Sequence, residues 1–317
     1  MNPNPGSRDE GQSKLRAESA TGILFTSDLH LNIPERSPRT NRTAFDAFAE
    51  VVAAENPETV VIAGDLGSPH QAEVHLGAIR KVVGDRRLVI CLGNHDFWLS
   101  KEMHSKFSTL EEVIAAFWEK PAKDAGAILL DRENAVIGDI AIVGCYGHFD
   151  LGLGVPGLVI RGIPVTEKIY LSGGMGGLVW KDFWYVPGCA TRLQAEARAQ
   201  AAGLAERLDS AIGGGKRIIV ALHTCPWKEL NGHPLTGEEM DVINAYSGNS
   251  LIGKVLEERA GAVEFLVCGH THMPVREKKP FGIPSLNMGG DYGVFRGVIY
   301  TPSDRSIRWV GEPLPHY

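Results

Sequence analysis

The chain has 317 residues, of which 44% are hydrophobic and 22% are charged, and these proportions are typical of a folded globular protein. Its 38 acidic residues outnumber its 32 basic ones, giving a net charge of −6, so the overall charge does not attract nucleic acid or anionic lipid. No uninterrupted run reaches the roughly 18 apolar residues of a membrane span. At roughly 150 residues per domain, the length allows two domains or one large α/β unit.

Residues 1–20 are rich in Pro, Gly, Ser and charged side chains and have no apolar core of a signal peptide, so they predict a disordered N-terminal lead-in. The five cysteines are far apart in the sequence, which favours free buried thiols in a reducing compartment. We therefore expect a cytoplasmic protein whose folded part covers residues 21–317 as a single domain.

Short apolar, β-rich runs alternate with helical patterns from the start of this folded part. The first runs are Ile23–Thr26, Thr59–Ala63 and Leu88–Leu92. Alternation of this kind predicts an α/β fold.

Two helices are predicted between these runs. The first has an apolar face that includes Phe45 and Phe48, with Asn41 as its expected N-cap. The second has a weaker apolar stripe that includes Val74, and Gly84 is its expected C-cap.

The second half of the chain repeats this pattern. Its clearest helical stripe extends from Leu193 to Ile212, and the apolar run Ile218–Leu222 follows. A further predicted helix over residues 250–259 leads into the run Val263–Cys268. Between about 97 and 190 the pattern loosens into a stretch rich in Gly and aromatic residues, which predicts a flap or insertion over one end of the sheet.

Five of the apolar runs share one feature, because each is followed within a few residues by side chains that can bind metal. In chain order these side chains are Asp28 and His30, Asp65, Asn94 with His95, His223, and His270 with His272. Ligands of open α/β sheets bind at the carboxyl ends of the strands, so we expect these groups to converge. Each one alone is more often a turn residue or a structural histidine. Together, excluding His95, they supply two carboxylates, one amide oxygen and four imidazoles.

The ordered set resembles the calcineurin-like metallophosphoesterase superfamily over roughly residues 21–295. The motifs that carry the resemblance are Asp28-Leu29-His30, Gly64-Asp65, Gly93-Asn94-His95-Asp96, His223 and Gly269-His270-Thr271-His272. The resemblance implies an α/β fold of the four-layer αββα sandwich type, which holds two divalent metal ions.

The resemblance also implies roles for individual motif residues. One metal ion would be bound by Asp28, His30, Asp65 and His272, and the other by Asp65, Asn94, His223 and His270. Asp65 would bridge the two ions. His95 would be a catalytic residue beside the scissile bond, giving a proton to the leaving oxygen or stabilising its charge. The position of Asp96 beside His95, and not the resemblance, gives it two interpretations: it would orient His95 or raise its pKa, or would serve as the N-cap of the segment that follows.

These residue types suit phosphate ester chemistry. Two divalent cations bring a charge of +4 and the carboxylates of Asp28 and Asp65 return −2, so the site would keep about +2 to bind a phosphate dianion. The mixed nitrogen and oxygen ligands suit Mn, Fe, Zn, Co or Ni and do not choose among them. The leading hypothesis is a dinuclear metal-dependent phosphoesterase that hydrolyses a small phosphomonoester or phosphodiester by in-line attack of a metal-bridging hydroxide.

Other functions remain open as alternatives. A nuclease of the same superfamily is disfavoured by the lack of basic clusters, and a non-catalytic binding module that keeps the fold is disfavoured by the complete ligand set. Two stretches also resemble the UDP-diacylglucosamine pyrophosphatases of lipid A synthesis, which carry Arg where His95 stands here. Gly64-Asp65 is not followed by Arg-Gly, which argues against a phosphoprotein phosphatase. The sequence leaves the oligomeric state open.

Several further residues have two interpretations. His148 and Asp150 are either groups near the substrate or an ordinary loop exit, and the second is favoured. A set of aromatic residues either stacks on a substrate or, as favoured, packs to anchor the flap: Trp98, Trp180, Phe183, Trp184 and Tyr185. Asp291 and Tyr292 are expected to line the same pocket.

Overall fold

The computed structural model describes residues 22–175, 178–232 and 238–315. The predicted lead-in over residues 1–20 lies outside these ranges. Within them, no helix combines the length and the apolar character that crossing a membrane requires. All five cysteines are free and buried.

The strands alternate with helices along the chain, as the sequence predicts. The strands are β1 (Ile23–Thr26), β2 (Thr59–Ala63), β3 (Arg87–Cys91), β4 (Ala127–Leu129), β5 (Ala135–Ile137), β6 (Ile140–Cys145), β7 (Val159–Ile160), β8 (Ile163–Pro164), β9 (Arg217–Leu222), β10 (Val263–Cys268), β11 (Val275–Lys278), β12 (Ser285–Asn287), β13 (Arg296–Thr301) and β14 (Ser306–Gly311). The helices are α1 (Ala44–Glu55), α2 (Ala72–Val83), α3 (Lys101–His104), α4 (Leu110–Val113), α5 (Glu119–Asp124), α6 (Glu167–Leu171), α7 (Asp182–Tyr185), α8 (Cys189–Gly213), α9 (Glu238–Asn244) and α10 (Ser250–Glu257).

The strands form two six-stranded sheets and one small hairpin. The first sheet has the order β14-β13-β1-β2-β3-β4, in which β1 to β4 are parallel. The second has the order β11-β12-β10-β9-β6-β5, in which β12, β10, β9 and β6 are parallel. The five apolar runs of the sequence are therefore divided between two sheets, so the expected crevice lies where the carboxyl ends of both sheets meet.

The sheets stack face to face between two layers of helices. Phe25 of β1 meets Phe265 of β10 in the core between the sheets, with ring centroids 5.4 Å apart. Leu24, the neighbour of Phe25, points the other way and belongs to the cluster that includes Phe48 of α1. Because the central strands are buried on both faces, they are continuously apolar in sequence. The result is the four-layer αββα sandwich that the resemblance implies.

The range of about 97–190, within which the sequence predicts a flap or insertion, also contains parts of both sheets. β4 is an edge strand of the first sheet, and the buried strand β6 pairs with β9 in the second. The helical periodicity here is broken by a π-helical turn over Ile114–Trp118 between α4 and α5. Residues 146–188, which connect β6 to α8, form only short elements in their described part. We call them the crossover segment; residues 176–177 of it lie outside the described ranges.

The helices differ from the prediction at two points, one cap and one residue of an apolar face. Thr43, not Asn41, is the N-cap of α1, because its hydroxyl and the carboxylate of Asp46 form a reciprocal capping box. Gly84 is the C-cap of α2, as predicted. Val74, however, is 68% exposed and takes no part in the buried face of that helix.

Candidate dinuclear metal site

The predicted ligands lie on turns that directly follow the strands, and most of these turns are strained. Five of the seven have a positive φ although none is a glycine, namely Asp28 (59°), His30 (42°), Asp65 (55°), His270 (71°) and His272 (56°). This left-handed conformation costs of order 1–3 kcal/mol per residue and persists only where the surrounding structure holds it. Backbone hydrogen bonds between the turns provide some of that support, such as Asp28 N–H to the Gly64 carbonyl oxygen (3.0 Å).

One group of four ligands, the first cluster, consists of Asp28, His30, Asp65 and His272. Its four ligand atoms all lie within 4.8 Å of one another. His30 Nε2 lies 3.5 Å from Asp65 Oδ2 and 3.3 Å from His272 Nε2. His272 Nε2 lies 3.5 Å from Asp28 Oδ1. This is the set that the resemblance assigns to one metal ion.

The first cluster holds a proton when no metal is bound. Burial alone would lower the pKa of His272, but hydrogen bonds to Asp28 and Asp291 raise it to about 10. Asp291 Oδ1 lies 2.8 Å from His272 Nδ1, and this contact also orients the ring. Burial would raise the pKa of Asp28, but the hydrogen bond from His272 and the nearby imidazoles hold it below its ordinary value. A cation between the two side chains would replace the proton on Nε2.

The second cluster consists of Asp65, Asn94, His223 and His270. His223 donates from Nδ1 to the Ala63 carbonyl oxygen (3.0 Å), and His270 donates from Nε2 to the Tyr246 carbonyl oxygen (3.3 Å). The other nitrogen of each ring lies 3.1 Å from Asn94 Oδ1. Burial lowers the pKa of both histidines, so both rings are neutral and these nitrogens carry lone pairs.

Three hydrogen-bond acceptors of the second cluster therefore face one another without a proton between them. Asn94 cannot relieve this by rotating its amide, because its Nδ2 donates to Asp182 (3.0 Å). A buried arrangement of this kind is repulsive unless a cation lies among the lone pairs. The residues therefore fit a divalent metal ion.

Asp65 belongs to both clusters. Its Oδ2 faces His30, whereas its Oδ1 lies 3.4 Å from His223 Nε2 and accepts the backbone N–H of His95 (2.9 Å). Burial and repulsion from Asp28 and Asp96 raise the pKa of its carboxyl group. Two nearby cations would remove this penalty, because an opposite charge favours the ionised form.

Two glycines make room for this packing. A Cβ on Gly93 would lie 2.2 Å from Asp65 Oδ1, and one on Gly64 would lie 2.4 Å from His223 Nδ1. Gly64 also has a φ of +86°, which favours glycine. Glycine is therefore the one residue that leaves the ligands in place at either position.

His95 lies beside both clusters without belonging to either. Its ring stacks on Trp98 with a centroid distance of 3.8 Å, and its Nε2 lies 3.5 Å from the Tyr292 hydroxyl. Burial, and then the nearby His272 and His223, lower the pKa of His95 to about 3. The ring is therefore a neutral imidazole.

Asp96 contacts the backbone instead of the His95 ring. Its carboxylate accepts the N–H groups of Gly93 (2.8 Å), Gly67 (2.9 Å) and Leu66 (3.3 Å). The sequence predicts that this carboxylate orients His95, but no contact among the described residues joins it to the His95 ring. Asp96 lies inside the short helical turn Asn94–Phe97, so it is not the N-cap of the next segment. It ties together the two turns that carry Asp65 and Asn94.

Sequence reasoning missed two carboxylates near the site. Asp182 is 1% exposed and accepts hydrogen bonds from Asn94, Trp98 and Trp180. Asp131 follows β4 and accepts the N–H groups of Leu92 and Tyr146, which joins the two sheets at their carboxyl ends. A lone Asp within an aromatic cluster, and an Asp directly after an apolar run, are the signals that could have identified them.

A cavity of about 350 Å³ opens beside the clusters. Its lining combines ligands of both clusters with His95, Tyr292 and Lys181, and with the apolar side chains of Trp98, Val179, Trp180 and Ile243. Tyr292 lines it as predicted. Asp291 contacts His272 instead.

His148 and Asp150 do not line this cavity. His148 is buried with its Nδ1 3.2 Å from the Tyr146 hydroxyl. Asp150 accepts the backbone N–H groups of Ser250 (3.1 Å) and Leu251 (3.1 Å) at the start of α10. Both contacts agree with the favoured interpretation, a loop exit.

Comparison with known proteins agrees with this geometry. A family model described as calcineurin-like phosphoesterase matches residues 21–274. The chain belongs to this family. The comparison with curated protein sequences gave no match.

Two solved structures are informative about the fold. The phosphopantetheinyl hydrolase PptH from Mycobacterium tuberculosis superimposes with a TM-score of 0.61 at 14% identity, over 86% of this chain and 91% of that one. The purple acid phosphatase PPD1 from yellow lupin (Lupinus luteus) seeds has a TM-score of 0.50 at 12% identity, over 92% of this chain and 51% of that one. At these identities the likeness shows a shared fold.

Proposed function

We propose that this chain is a phosphoesterase that uses two divalent metal ions to hydrolyse a small phosphomonoester or phosphodiester. The observation that carries the proposal is the pair of buried ligand clusters that share Asp65. The first ion would be held by Asp28, His30, Asp65 and His272, and the second by Asp65, Asn94, His223 and His270. Their nitrogen and oxygen atoms suit Mn, Fe, Zn, Co or Ni. When bound, the two ions would supply positive charge to hold the phosphate and an acidified water as nucleophile.

His95 and Tyr292 supply donors beside the clusters. Because burial lowers the pKa of His95 to about 3, the ring acts as a neutral hydrogen-bond donor to the leaving oxygen. The Tyr292 hydroxyl, 3.5 Å from His95 Nε2, is a second donor within reach of the same cavity. Trp98 fixes the plane of the His95 ring by stacking on it.

The cavity favours a small organic phosphate as the substrate, and the five free cysteines support a cytoplasmic location for the enzyme. Its volume of about 350 Å³ is in the range of small-molecule sites. A nuclease would need basic groups to neutralise several phosphates, and Lys181 is the lone Lys or Arg among the described residues that line the cavity. The complete ligand set argues against a non-catalytic binding module.

Metal reconstitution tests the proposal. Metal-stripped protein is expected to be inactive, and added Mn, Zn, Ni or Fe is expected to restore hydrolysis of p-nitrophenyl phosphate or its bis-ester. The matched control is Asp65→Asn, which keeps the size of the side chain but removes the shared charge, and which should not regain activity. A KM that does not change with salt would separate a small-substrate enzyme from a nuclease. Protein that holds two ions and leaves both esters intact would refute the proposal.

A further inference from the structure

Asp182, in α7 of the crossover segment, joins three side chains of the site through a single buried carboxylate. Its Oδ1 accepts from Asn94 Nδ2 (3.0 Å) and from Trp98 Nε1 (2.7 Å). Its Oδ2 accepts from Trp180 Nε1 (3.0 Å). Oδ1 thus contacts Asn94 and Trp98, and Oδ2 contacts Trp180.

Each of the three partners serves a different part of the site. Asn94 offers its Oδ1 to the second cluster, 3.1 Å from both His223 Nε2 and His270 Nδ1. Trp98 stacks on the His95 ring and thereby restricts its orientation. Trp180 forms part of the cavity wall and stacks on Tyr246, with centroids 5.3 Å apart and an interplanar angle of 17°.

We propose that Asp182 is a positioning residue that fixes Asn94 as a metal ligand and thereby makes the second metal site depend on the crossover segment. The inference rests on the proposed function for its two metal ions. An amide has an acceptor end and a donor end, and a half-turn exchanges them. Asp182 holds the donor end, so the oxygen faces the two histidines. Without this carboxylate, the amide can present its NH₂ group to the cluster, and the second ion loses a ligand.

The division of contacts between the two oxygens makes the proposal testable in detail. In Asp182→Asn, the remaining oxygen can serve Asn94 and Trp98, but the new NH₂ group then faces the N–H of Trp180. Two donors in contact repel, and one of them stays unsatisfied. Trp180→Phe removes the opposing donor, so it should relieve the defect of Asp182→Asn.

The experiment titrates metal-stripped protein with Mn²⁺ and follows free Mn²⁺ by electron paramagnetic resonance. Wild-type protein is expected to bind two ions. Asp182→Ala should keep the first ion and bind the second about 10–100-fold more weakly, as is typical when a partner of a ligand is lost. Asp182→Asn should lose less, and the double variant with Trp180→Phe should recover. Circular dichroism of the metal-free variants checks that they fold.

Asp150 provides a matched control in the same segment. It is also a buried carboxylate, and it accepts hydrogen bonds from Gly152, Ser250 and Leu251 instead of site residues. Asp150→Ala should bind both ions like the wild type. The proposal is overturned if Asp182→Ala keeps both affinities, if Asp150→Ala loses the second ion equally, or if the double variant does not recover. Mn²⁺ binding is measured without substrate. A protein that hydrolyses no ester would therefore refute the proposed function, whereas the metal titrations would still decide the role of Asp182.

Discussion

His95 illustrates how a single residue is tuned by its surroundings. Its ring is stacked on Trp98 and meets the edge of His30, with centroid distances of 3.8 and 4.6 Å. These contacts restrict the ring, which belongs to neither cluster. Under the proposed function, a residue held in this way would be free to act on the leaving group, whereas a metal ligand would first have to leave its ion.

The substitution His95→Ala is therefore expected to affect turnover more than metal binding. The variant should bind two metal ions and lower kcat by about 10²–10³-fold for an alkyl phosphate, because the lost hydrogen bond would stabilise a strongly basic leaving oxygen. The loss should be smaller for p-nitrophenyl phosphate, because p-nitrophenolate needs less stabilisation. Steady-state kinetics on both esters, with metal content measured in parallel, checks this. Unchanged turnover of the alkyl ester would contradict the assigned role.

The place of the candidate ligands at the sheet edges could be predicted from the sequence, but their hydrogen-bond partners could not. Asp28, Asp65 and His223 each follow an apolar run, so their place at a sheet edge could be inferred from local pattern. Asp182 contacts Asn94 across 88 positions of the chain. No local pattern carries such a contact, because it depends on how the crossover segment folds back over the sheets.

At the scale of elements, the turns after the strands tolerate much less change than the helices. Gly93 ends the loop after β3, and a Cβ there would lie 2.2 Å from Asp65 Oδ1 and 2.7 Å from His223 Cε1. Gly77 lies within α2, and a Cβ there would have no heavy atom within 4 Å. The same substitution should therefore have opposite effects at the two positions.

We expect Gly93→Ala to lower the free energy of unfolding by about 1–3 kcal/mol, as overpacking does, and to weaken metal binding. Gly77→Ala, the matched control, should raise the free energy of unfolding by about 0.5–1 kcal/mol, because alanine favours the helix. Urea unfolding of metal-free protein and Mn²⁺ titration measure both effects. Equal stability of the two variants would show that the space around Gly93 is not limiting.

Five strands, β1, β2, β3, β9 and β10, and the four longest of the described helices could be predicted, because amphipathic or apolar periodicity determines them. β10 has the predicted bounds, and β3 and β9 differ from theirs by one residue. β4 and β5 were missed because strands of three residues are too short to show a period. The division of the parallel strands between two sheets came from the family resemblance and not from the pattern, since periodicity does not say which strands pair.

At the scale of the whole molecule, buried histidines link folding to pH. His148 lies outside both metal clusters, and burial lowers its pKa to about 3. In the unfolded chain its pKa would be about 6.5. The unfolded state therefore takes up a proton first as the pH falls. The contribution of the neutral His148 ring to the free energy of unfolding is complete above about pH 6.5 and is lost progressively as the pH falls towards 3.

The variant His148→Asn should remove this contribution. Between pH 6.5 and pH 5, the metal-free wild type should lose about 1.7 kcal/mol more unfolding free energy than the variant, because the slope rises from half of its full value at pH 6.5 towards about 1.4 kcal/mol per pH unit for one proton. Urea unfolding of both proteins at several pH values measures the difference in slope, which cancels any constant cost of the substitution. The prediction would be contradicted if the unfolding free energies of the two proteins changed equally with pH.

The division of the ligands between two sheets has a mechanical consequence. Asp28, His30, Asp65 and Asn94 follow strands of the first sheet, and His223, His270 and His272 follow strands of the second. Sliding one sheet past the other by a single residue, about 3.3 Å, would shift atoms that now lie 3.1–3.5 Å apart across the two sheets by about the length of their present separation. Bound cations would therefore resist sliding of one sheet past the other. The Phe25–Phe265 contact in the interior would also fix the spacing between the candidate ligands, although it does not contact them.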